Sequence, residues 1–416
     1  MVDINRIRAN PQDIQKAAAA KGVTVDIDKV IELDDQFQSL QREVQKLREE
    51  RNSFSKKITG KPTPEQAEEG KKIKEELDKR ETIFAAVQVE FLTLLQSIPN
   101  PSKPDVKVGK DDSENEVIKT VGTPTKFDFK PKDHLELGEL LDIIDVKQAA
   151  VVSGSRFYYL KNDGVLLEFA LKQFAFETLI KEGFTPILPP VIVKKEIMDK
   201  LGYTQMGEAE DIYTTENGDL YLVGTAEQSI VPYHMNDVLK REDLPKRYVG
   251  FSTAFRREAG AYGKDTRGII RVHQFDKTEM VSFVAEGDDD REHEFMLGIE
   301  EKFMQQLGIP YQVIRVCTGD LGFNAARKYD IEAWVPTQEK YRELTSTSTV
   351  TDFQSRRLNM KYQDGNEKKY LQVLNGTAFS TRPLVAILEN YQQEDGSVIV
   401  PEVLRKYMGK DVIKPR

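Results

Sequence analysis

The chain has 416 residues, of which 39% are hydrophobic and 31% charged, and its formal net charge is −9. This length exceeds one ordinary hydrophobic core and predicts two or three domains, while the negative charge excludes a general binder of nucleic-acid polyanions. The single cysteine, Cys317, excludes a disulfide framework and a cysteine-rich zinc site. No stretch approaches 18 apolar residues, so we expect no membrane partner and a cytoplasmic location, with organellar import left open.

Two heptad patterns between Val30 and Ile98 predict a pair of long helices. Apolar residues recur at alternating steps of three and four over residues 30–58 and again over residues 73–98, so each helix buries one narrow stripe. The link at residues 59–64 contains a glycine and two prolines, which end a helix. Because this link is too short for parallel pairing, the helices should fold back as an antiparallel hairpin. At 1.5 Å per residue, such an arm would extend roughly 45–50 Å.

Reflecting the heptads about the link sets Leu47 opposite Leu77 and Leu40 opposite Phe84. The distal half of this hairpin is basic, since residues 42–80 hold 12 Lys and Arg against 9 Asp and Glu and leave the rest of the chain at −12. A basic surface on a stiff arm suits contacts with phosphates. A dimerising coiled coil, a plain spacer or a solvated charged face would show the same pattern, so these alternatives stay open.

A proline-rich segment at residues 99–104 ends the second helix and indicates a domain boundary. We therefore predict an N-terminal domain over residues 1–104, with the arm at about 28–98, and a second domain over residues 105–416.

The second domain mixes strand-like segments with helical ones. Strand-like sequence occurs at residues 283–284, 311–316 and 331–335. An amphipathic helix is predicted over residues 165–182, and it ends at Gly183. The sequence has neither a regular βαβ alternation nor a dinucleotide glycine fingerprint, which disfavours a doubly wound parallel sheet. The predicted fold class is α+β, with a mostly antiparallel sheet flanked by helices and preceded by the two-helix arm.

Common catalytic patterns are missing from the sequence. Residues 263–266 hint at a phosphate loop, but no glycine precedes them at the required spacing, and Asp265 separates the lysine from the threonine. The four histidines are scattered, and no G-x-S-x-G turn is present. Nucleophilic and zinc chemistry are therefore unsupported.

The C-terminal half instead combines residue types that suit nucleotide chemistry. Arg256 precedes a glycine-containing loop and Phe275 follows it, and arginine binds phosphate in a bidentate manner while an aromatic face suits a purine ring. Glu343 and Ser346 offer the hard oxygen atoms that Mg²⁺ prefers. Each of these residues taken singly also fits a surface ion pair, a core residue or a turn.

Taken together, these features resemble the seryl-tRNA synthetase family from the first residues to the last. The segments that carry the resemblance are residues 4–11, the hairpin arm, its exit at 97–100, class II motif 1 at 183–190, the T-x-E triplet at 225–227, motif 2 at 255–279, a seryl-type signature at 352–357 and motif 3 at 374–390. The resemblance implies a homodimer with Pro190 at its interface. It also implies a ligase that uses ATP, Mg²⁺ and L-serine to load tRNA(Ser), with tRNA(Sec) left open as a further acceptor.

The resemblance also implies roles for single residues. Arg256 would hold the α-phosphate, Arg382 the γ-phosphate, and Glu258 would lie by the ATP or the tRNA end. Phe275 would stack on adenine and Val272 would contact the same base. The remaining assignments are Glu343 and Ser346 at the Mg²⁺-bound phosphates, Thr225, Glu227, Glu279 and Thr377 around serine, and Arg256, Glu279 and Arg382 as the catalytic set. The arm would contact the long variable arm of tRNA(Ser), reaching across the dimer.

Two segments depart from the family pattern. Thr347 and Thr349 stand where members usually show a cysteine and an asparagine, and motif 3 is one residue shorter, with Pro383 after Arg382. Two other functions are alternatives to a tRNA ligase. A catalytically inactive relative would need broken pocket residues, and a ligase acting on a carrier protein would be expected to lack the arm.

Overall fold

A computed structural model of the protein describes residues 1–58, 60–205, 208–259 and 267–416. Thr59 in the predicted turn and the rejected phosphate-loop sequence at 263–266 lie outside the described residues. The chain divides into two compact units, Met1–Pro101 and Ser102–Arg416. The helices of the first unit are α1 (Ile4–Ala9), α2 (Pro11–Ala20), α3 (Ile27–Lys57) and α4 (Pro64–Gln96).

Helices α3 and α4 form the predicted antiparallel pair. Along the two helices, Phe37 stacks on Phe91 at 5.5 Å between ring centroids, whereas Arg48, farther along α3, pairs with Glu81 at 2.7 Å. Phe84 stacks on Phe37 at 5.1 Å, one turn before Leu40, the residue expected opposite it. Phe37 thus lies between Phe84 and Phe91, and these contacts agree with the antiparallel direction that the heptads and the short link predict.

Local signals at the helix ends explain the limits of the hairpin. The Asp26 side chain accepts a hydrogen bond from the Lys29 amide and so begins α3. At the other helix, Thr63 and Gln66 form a reciprocal capping box, and Pro64 occupies the first helical position. These caps satisfy backbone donors that a helix start would otherwise leave without partners.

The second unit alternates strands and helices along its length. Its strands are β1 (Glu116–Val121), β2 (Ile144–Asp145), β3 (Tyr159–Leu160), β4 (Thr185–Ile187), β5 (Ile192–Lys194), β6 (Leu220–Leu222), β7 (Val238–Lys240), β8 (Lys246–Phe255), β9 (Gln274–Val284), β10 (Tyr311–Arg315), β11 (Arg327–Val335), β12 (Lys340–Thr351), β13 (Lys361–Asp364), β14 (Glu367–Tyr370), β15 (Gln372–Phe379), β16 (Val398–Ile399) and β17 (Val412–Ile413). Its helices are α5 (His134–Leu140), α6 (Val146–Ser153), α7 (Asn162–Lys181), α8 (Lys195–Leu201), α9 (Glu227–Ile230), α10 (Asp289–Leu307), α11 (Phe353–Leu358), α12 (Arg382–Asn390) and α13 (Glu402–Met408).

The central element is an eight-stranded sheet with the order β1-β10-β11-β12-β15-β9-β8-β4. Six of its seven neighbouring pairs are antiparallel, and β4 pairs parallel to β8 at one edge. The α+β prediction with a mostly antiparallel sheet is confirmed. The helix expected over residues 165–182 is α7, which begins three residues earlier and is followed by Gly183 with φ +88°.

Helices α7 and α10 pack against the sheet and bury its main core. Phe303 of α10 meets Phe174 of α7 edge to face at 5.4 Å and Phe379 of β15 at 4.8 Å. These three rings join both helices to a central strand. Among the described residues, no helix is both long and apolar enough to cross a membrane.

Candidate active site

Strands β9, β11, β12 and β15, the segment after β8 and the start of α12 line a cavity of about 270 Å³. Eight of the predicted site residues lie in its lining: Arg256, Glu258, Val272, Phe275, Glu343, Ser346, Thr377 and Arg382. The structure therefore brings together residues separated by more than a hundred positions in the sequence.

Arg256 and Phe275 meet because β8 and β9 form an antiparallel pair. The register sets Ala254 opposite Phe275, and the Arg256 amide extends the ladder by donating to the His273 carbonyl at 2.9 Å. The Arg256 guanidinium lies 5.3 Å from the centre of the Phe275 ring. An arginine and an exposed ring face at this separation can take a phosphate and a planar base side by side.

Glu258 has an unusual backbone conformation, with φ +51°. Its carboxylate Oε2 accepts a hydrogen bond from Arg271 Nη1 at 2.7 Å. Positive φ values are uncommon outside glycine and cost energy that the surrounding structure must compensate. The pair with Arg271, a cavity residue that the sequence analysis missed, supplies one such compensating contact.

Arg382 is the first residue of α12 and ties that helix to β12. Its Nη1 donates to the Glu343 carbonyl at 3.0 Å and lies 3.3 Å from Glu343 Oε1. Burial raises the pKa of the Glu343 carboxyl, but the positive charges of Arg382, Lys328 and Arg256 outweigh burial and lower this pKa to about 2. The Glu343 carboxylate is therefore ionised at neutral pH and lies among three cations, so its oxygen atoms could act as metal ligands.

The alternation of side chains along β12 separates the cavity from the helix layer. Ser346 and Ser348 line cavities, whereas the hydroxyls of Thr345 and Thr349 donate to Glu300 and Asp289 of α10, at 3.1 and 3.2 Å. Thr347 is fully buried between those two threonines. Thr347 and Thr349, the two residues of β12 that depart from the family pattern, therefore lie on the face of the strand away from the cavities.

Gly376 permits the close packing behind this part of the sheet. A Cβ atom at this position would lie 2.9 Å from Glu300 Oε1 and 3.0 Å from Thr347 Oγ1. Burial raises the pKa of the Glu300 carboxyl well above its usual range. Because Gly376 has no side chain, α10 can pack close to β15 next to Thr377.

A second cavity of about 350 Å³ adjoins the first. Four residues line both, namely Arg256, Lys277, Lys328 and Ser346. Thr225 and Glu227, predicted around serine, line the second cavity, whereas Thr377 lines the first.

Glu279 lines neither cavity, because its side chain is only 1% exposed. It lies opposite Thr377 in the pairing of β9 with β15, and its Oε2 is 2.8 Å from Lys277 Nζ. Glu279 and Thr377 are thus neighbours on two paired strands.

Glu227 is a buried carboxyl group at the start of α9, with 3% of the residue exposed. Burial and the negative charge of Glu279 raise its pKa to about 7. Its Oε1 atom has no hydrogen-bond partner in the described part of the chain. A carboxyl group in this state gains from an incoming cationic group that neutralises its charge.

Two lysines between the cavities were missed by the sequence analysis. Lys277 lies two residues after Phe275 and two before Glu279 on β9, so the strand period of two could have placed all three side chains on one face. Lys328 comes from β11 and gave no such signal; its Nζ lies 3.0 Å from Asp330 Oδ1. Burial lowers the pKa of Lys328, but the charges of Asp330 and Glu343 outweigh burial and raise it above its usual value.

Comparison with known proteins agrees with this geometry. Residues 211–391 match the family described as tRNA synthetase class II core domain (G, H, P, S and T), and residues 1–102 match the seryl-tRNA synthetase N-terminal domain. The second unit is therefore the catalytic core of a class II aminoacyl-tRNA synthetase. The chain is 45% identical to a serine–tRNA ligase of Thermobifida fusca, over 100% of this chain and 99% of the relative. The chain belongs to the seryl-tRNA synthetase family.

Solved structures agree in fold along the whole chain. Seryl-tRNA synthetase from Pyrococcus horikoshii, complexed with ATP, matches with a TM-score of 0.90 and 39% identity over 100% of both chains. Cytoplasmic serine–tRNA ligase from Naegleria fowleri, in complex with AMP, matches with a TM-score of 0.87 and 35% identity, over 100% of this chain and 99% of the other.

Proposed function

We propose that the protein activates L-serine with ATP to form seryl-adenylate and then transfers serine to the 3′ end of tRNA(Ser). The observation that carries this proposal is the pair of adjoining cavities, which share Arg256, Lys277, Lys328 and Ser346. One cavity combines cations with an aromatic ring, and the other holds a buried carboxyl group with a raised pKa. A nucleoside triphosphate and a small amino acid would meet at their junction.

The first cavity would bind ATP. Phe275 would stack on adenine, with Val272 contacting the same base, and Arg256 would hold the α-phosphate beside the ring. Arg382 would bind the γ-phosphate from the start of α12, and Glu258 would lie by the ATP or the tRNA end. Support comes from the shared lining and from the charges, since arginine forks match phosphate oxygens.

Glu343 and Ser346 would hold Mg²⁺ at the phosphates. The donors fit, because Glu343 is ionised and both residues lie on one cavity. In the described residues no group of three His, Cys, Asp or Glu side chains could hold a metal ion by itself. Mg²⁺ commonly binds through one or two protein oxygens together with substrate phosphates and water. When bound, the ion would neutralise charge on the phosphates.

Serine would bind where the second cavity adjoins the first, near Thr225 and Glu227 of the second cavity, Thr377 of the first and the buried Glu279. The two carboxyl groups would receive the ammonium group and the hydroxyl of serine. Alanine and glycine would leave a buried acceptor without its hydrogen bond, and this penalty discriminates more strongly than shape alone. A larger side chain would clash in a site closed by buried residues.

The first step requires positioning more than acid–base chemistry. An oxygen of the serine carboxylate attacks the α-phosphorus in line, and the bond from this phosphorus to the bridging oxygen breaks. Pyrophosphate leaves with the bonding electron pair, and no proton moves. Arg256 and Arg382 would stabilise charge on the phosphates. A ribose hydroxyl of the terminal tRNA adenosine, by family analogy the 3′-OH, would then attack the acyl carbon of seryl-adenylate. The bond from this carbon to the phosphate oxygen would break, AMP would leave with the bonding electron pair, and the hydroxyl proton would pass to solvent.

The test of this proposal is ATP–pyrophosphate exchange with each amino acid in turn. We expect exchange with serine and a kcat/KM for alanine lower by about 10⁴-fold, because the serine hydroxyl is bound by buried polar groups. Absence of exchange with every amino acid, or equal rates for alanine and serine, would contradict the proposed function.

The raised pKa of Glu227 predicts a pH-dependent affinity for serine. Only the ionised carboxylate attracts the ammonium group, and with a pKa of about 7 the ionised fraction falls as the pH falls below 7. We expect KM for serine to rise about tenfold from pH 8 to pH 6, at constant saturating ATP. Glu227→Gln, which has no ionisable group, should show a high KM without this dependence. A flat wild-type profile would contradict the role of Glu227.

We also propose that residues 1–104 form a tRNA-binding domain whose arm contacts the long variable arm of tRNA(Ser). The match of residues 1–102 to the family N-terminal domain supports this proposal. So does the charge of the arm, where residues 42–80 carry an excess of three positive charges on a chain of net −9. A local basic surface provides the phosphate contacts that dominate affinity for RNA.

Deletion of residues 42–80, closed by a short turn, tests the arm. We expect serine-dependent pyrophosphate exchange to change less than about twofold, while kcat/KM for tRNA falls by about 100-fold or more because several phosphate contacts are lost. Transfer assays and exchange assays on the same preparation separate the two effects. Unchanged transfer kinetics would show that the arm does not bind the tRNA.

A homodimer is proposed from an exposed apolar surface on the catalytic unit. Phe169 on the outer side of α7 is 60% exposed, and Leu188, which follows edge strand β4, is 79% exposed. The same part of the chain exposes Val151, Val152, Leu166, Ile180 and Ile192, and Pro190 is also exposed. Exposed apolar side chains near a sheet edge are typical of a protein interface, and a second copy of the chain would cover them.

Sedimentation equilibrium at micromolar concentration checks this assembly. We expect twice the mass of one chain for the wild type and a shift towards the single-chain mass for Phe169→Asp, since a buried unpaired charge destabilises the interface. A single-chain mass for the wild type would contradict the dimer.

Because the proposed substrate is tRNA(Ser), we also propose that the protein acts in the cytoplasm.

A further inference from the structure

Serine is a zwitterion, so a site that buries it needs partners of both signs. The ammonium group requires carboxylates, and the reacting carboxylate requires a cation, because an unpaired charge is costly to remove from water. The proposed function assigns Glu227 and Glu279 to the ammonium and hydroxyl groups, but it assigns no residue to the serine carboxylate. Three cations line both cavities and are candidates for that role: Arg256, Lys277 and Lys328.

Lys277 is the candidate in contact with the residues proposed to bind serine. Its Nζ lies 2.8 Å from Glu279 Oε2 and donates a hydrogen bond to Thr225 Oγ1 at 3.3 Å. Its side chain is 11% exposed, so the ammonium group is shielded from most of the solvent. Lys277 thus joins the base of the serine site to the junction of the two cavities.

The other two cations are engaged elsewhere. Arg256 lies over the Phe275 ring, where adenine and the α-phosphate would bind, and its Nε donates to the Gly224 carbonyl at 3.3 Å. Lys328 projects from β11 and lies 3.0 Å from the Asp330 carboxylate. Its charge is compensated by a buried residue outside the serine site.

We propose that Lys277 is a further catalytic residue, which binds the carboxylate of serine and holds it at the cavity junction facing the α-phosphate. In the free enzyme, Lys277 neutralises Glu279. When serine enters, its ammonium group lies beside the carboxylates while its carboxylate pairs with Lys277, so each charged group of serine has a partner of the opposite sign. Lys277 remains protonated while the new oxygen–phosphorus bond forms and pyrophosphate departs with the bonding electrons.

This inference rests on the proposed function, and a pair of ligands tests it separately. L-serine carries the carboxylate, whereas serinol keeps the ammonium group and a hydroxymethyl group but has no carboxylate. Calorimetric titration of Lys277→Met should show serine affinity weakened by about 10- to 100-fold, the range for a lost charge-assisted hydrogen bond, with serinol affinity changed less than about twofold. Lys277→Arg should restore part of the serine affinity.

Lys328→Met is the matched control, because it removes a second lysine from the same junction. Its ratio of serine to serinol affinity should equal that of the wild type. If Lys277→Met weakened the affinities for serine and serinol equally, the proposal would be overturned, and Lys277 would only support Glu279. An equal change of the ratio in Lys328→Met would also overturn it, since the effect would then come from the general positive potential.

Two further measurements keep this test separate from the test of the function. Thermal unfolding and ATP binding of Lys277→Met establish that the variant is folded, and Lys277→Gln replaces it if it is not. Failure of the wild type to give serine-dependent exchange would remove the proposed function and this inference together. Normal wild-type exchange with an unchanged ligand ratio in the variant would remove the inference alone.

Discussion

Glu279 is buried at the base of the catalytic cleft, and a buried carboxylate is tolerated only when a nearby cation compensates its charge. Lys277, two residues earlier on the same strand and 2.8 Å away, supplies that charge. Glu227 faces the same region, and burial together with the charge of Glu279 raises its pKa to about 7. A ligand with an ammonium group would add positive charge beside these two carboxyl groups.

The nucleotide side of the cleft has the opposite balance. Arg256, Arg382 and Lys328 surround Glu343 and lower its pKa to about 2, so cations exceed the carboxylate that they stabilise. An excess of fixed positive charge in a partly dehydrated cavity favours a polyanion. The first cavity therefore carries the larger excess of positive charge, and its shared lining with the second would bring the two kinds of ligand together at one place.

Helix α10 supports this arrangement from behind the sheet. Its Glu300 and Asp289 accept hydrogen bonds from Thr345 and Thr349, while the alternate residues Ser346 and Ser348 line the cavities. Because side chains alternate along a strand, the family departures at positions 347 and 349 alter how β12 packs, without replacing a cavity residue. The glycine at 376 belongs to the same packing, since a Cβ atom there would lie 2.9 Å from Glu300 Oε1.

Periodic features of the sequence determined the arm, its antiparallel direction, the fold class and helix α7, because heptads, caps and turn residues act over neighbouring positions. The motif residues could be named from their order along the chain. Lys328 and the pairing of Glu258 with Arg271 could not, since they depend on which strands become neighbours and on the register between them. The raised pKa of Glu227 was likewise decided by the tertiary structure. Burial and the charge of a residue 52 positions away, Glu279, act through space and leave no pattern in the local sequence.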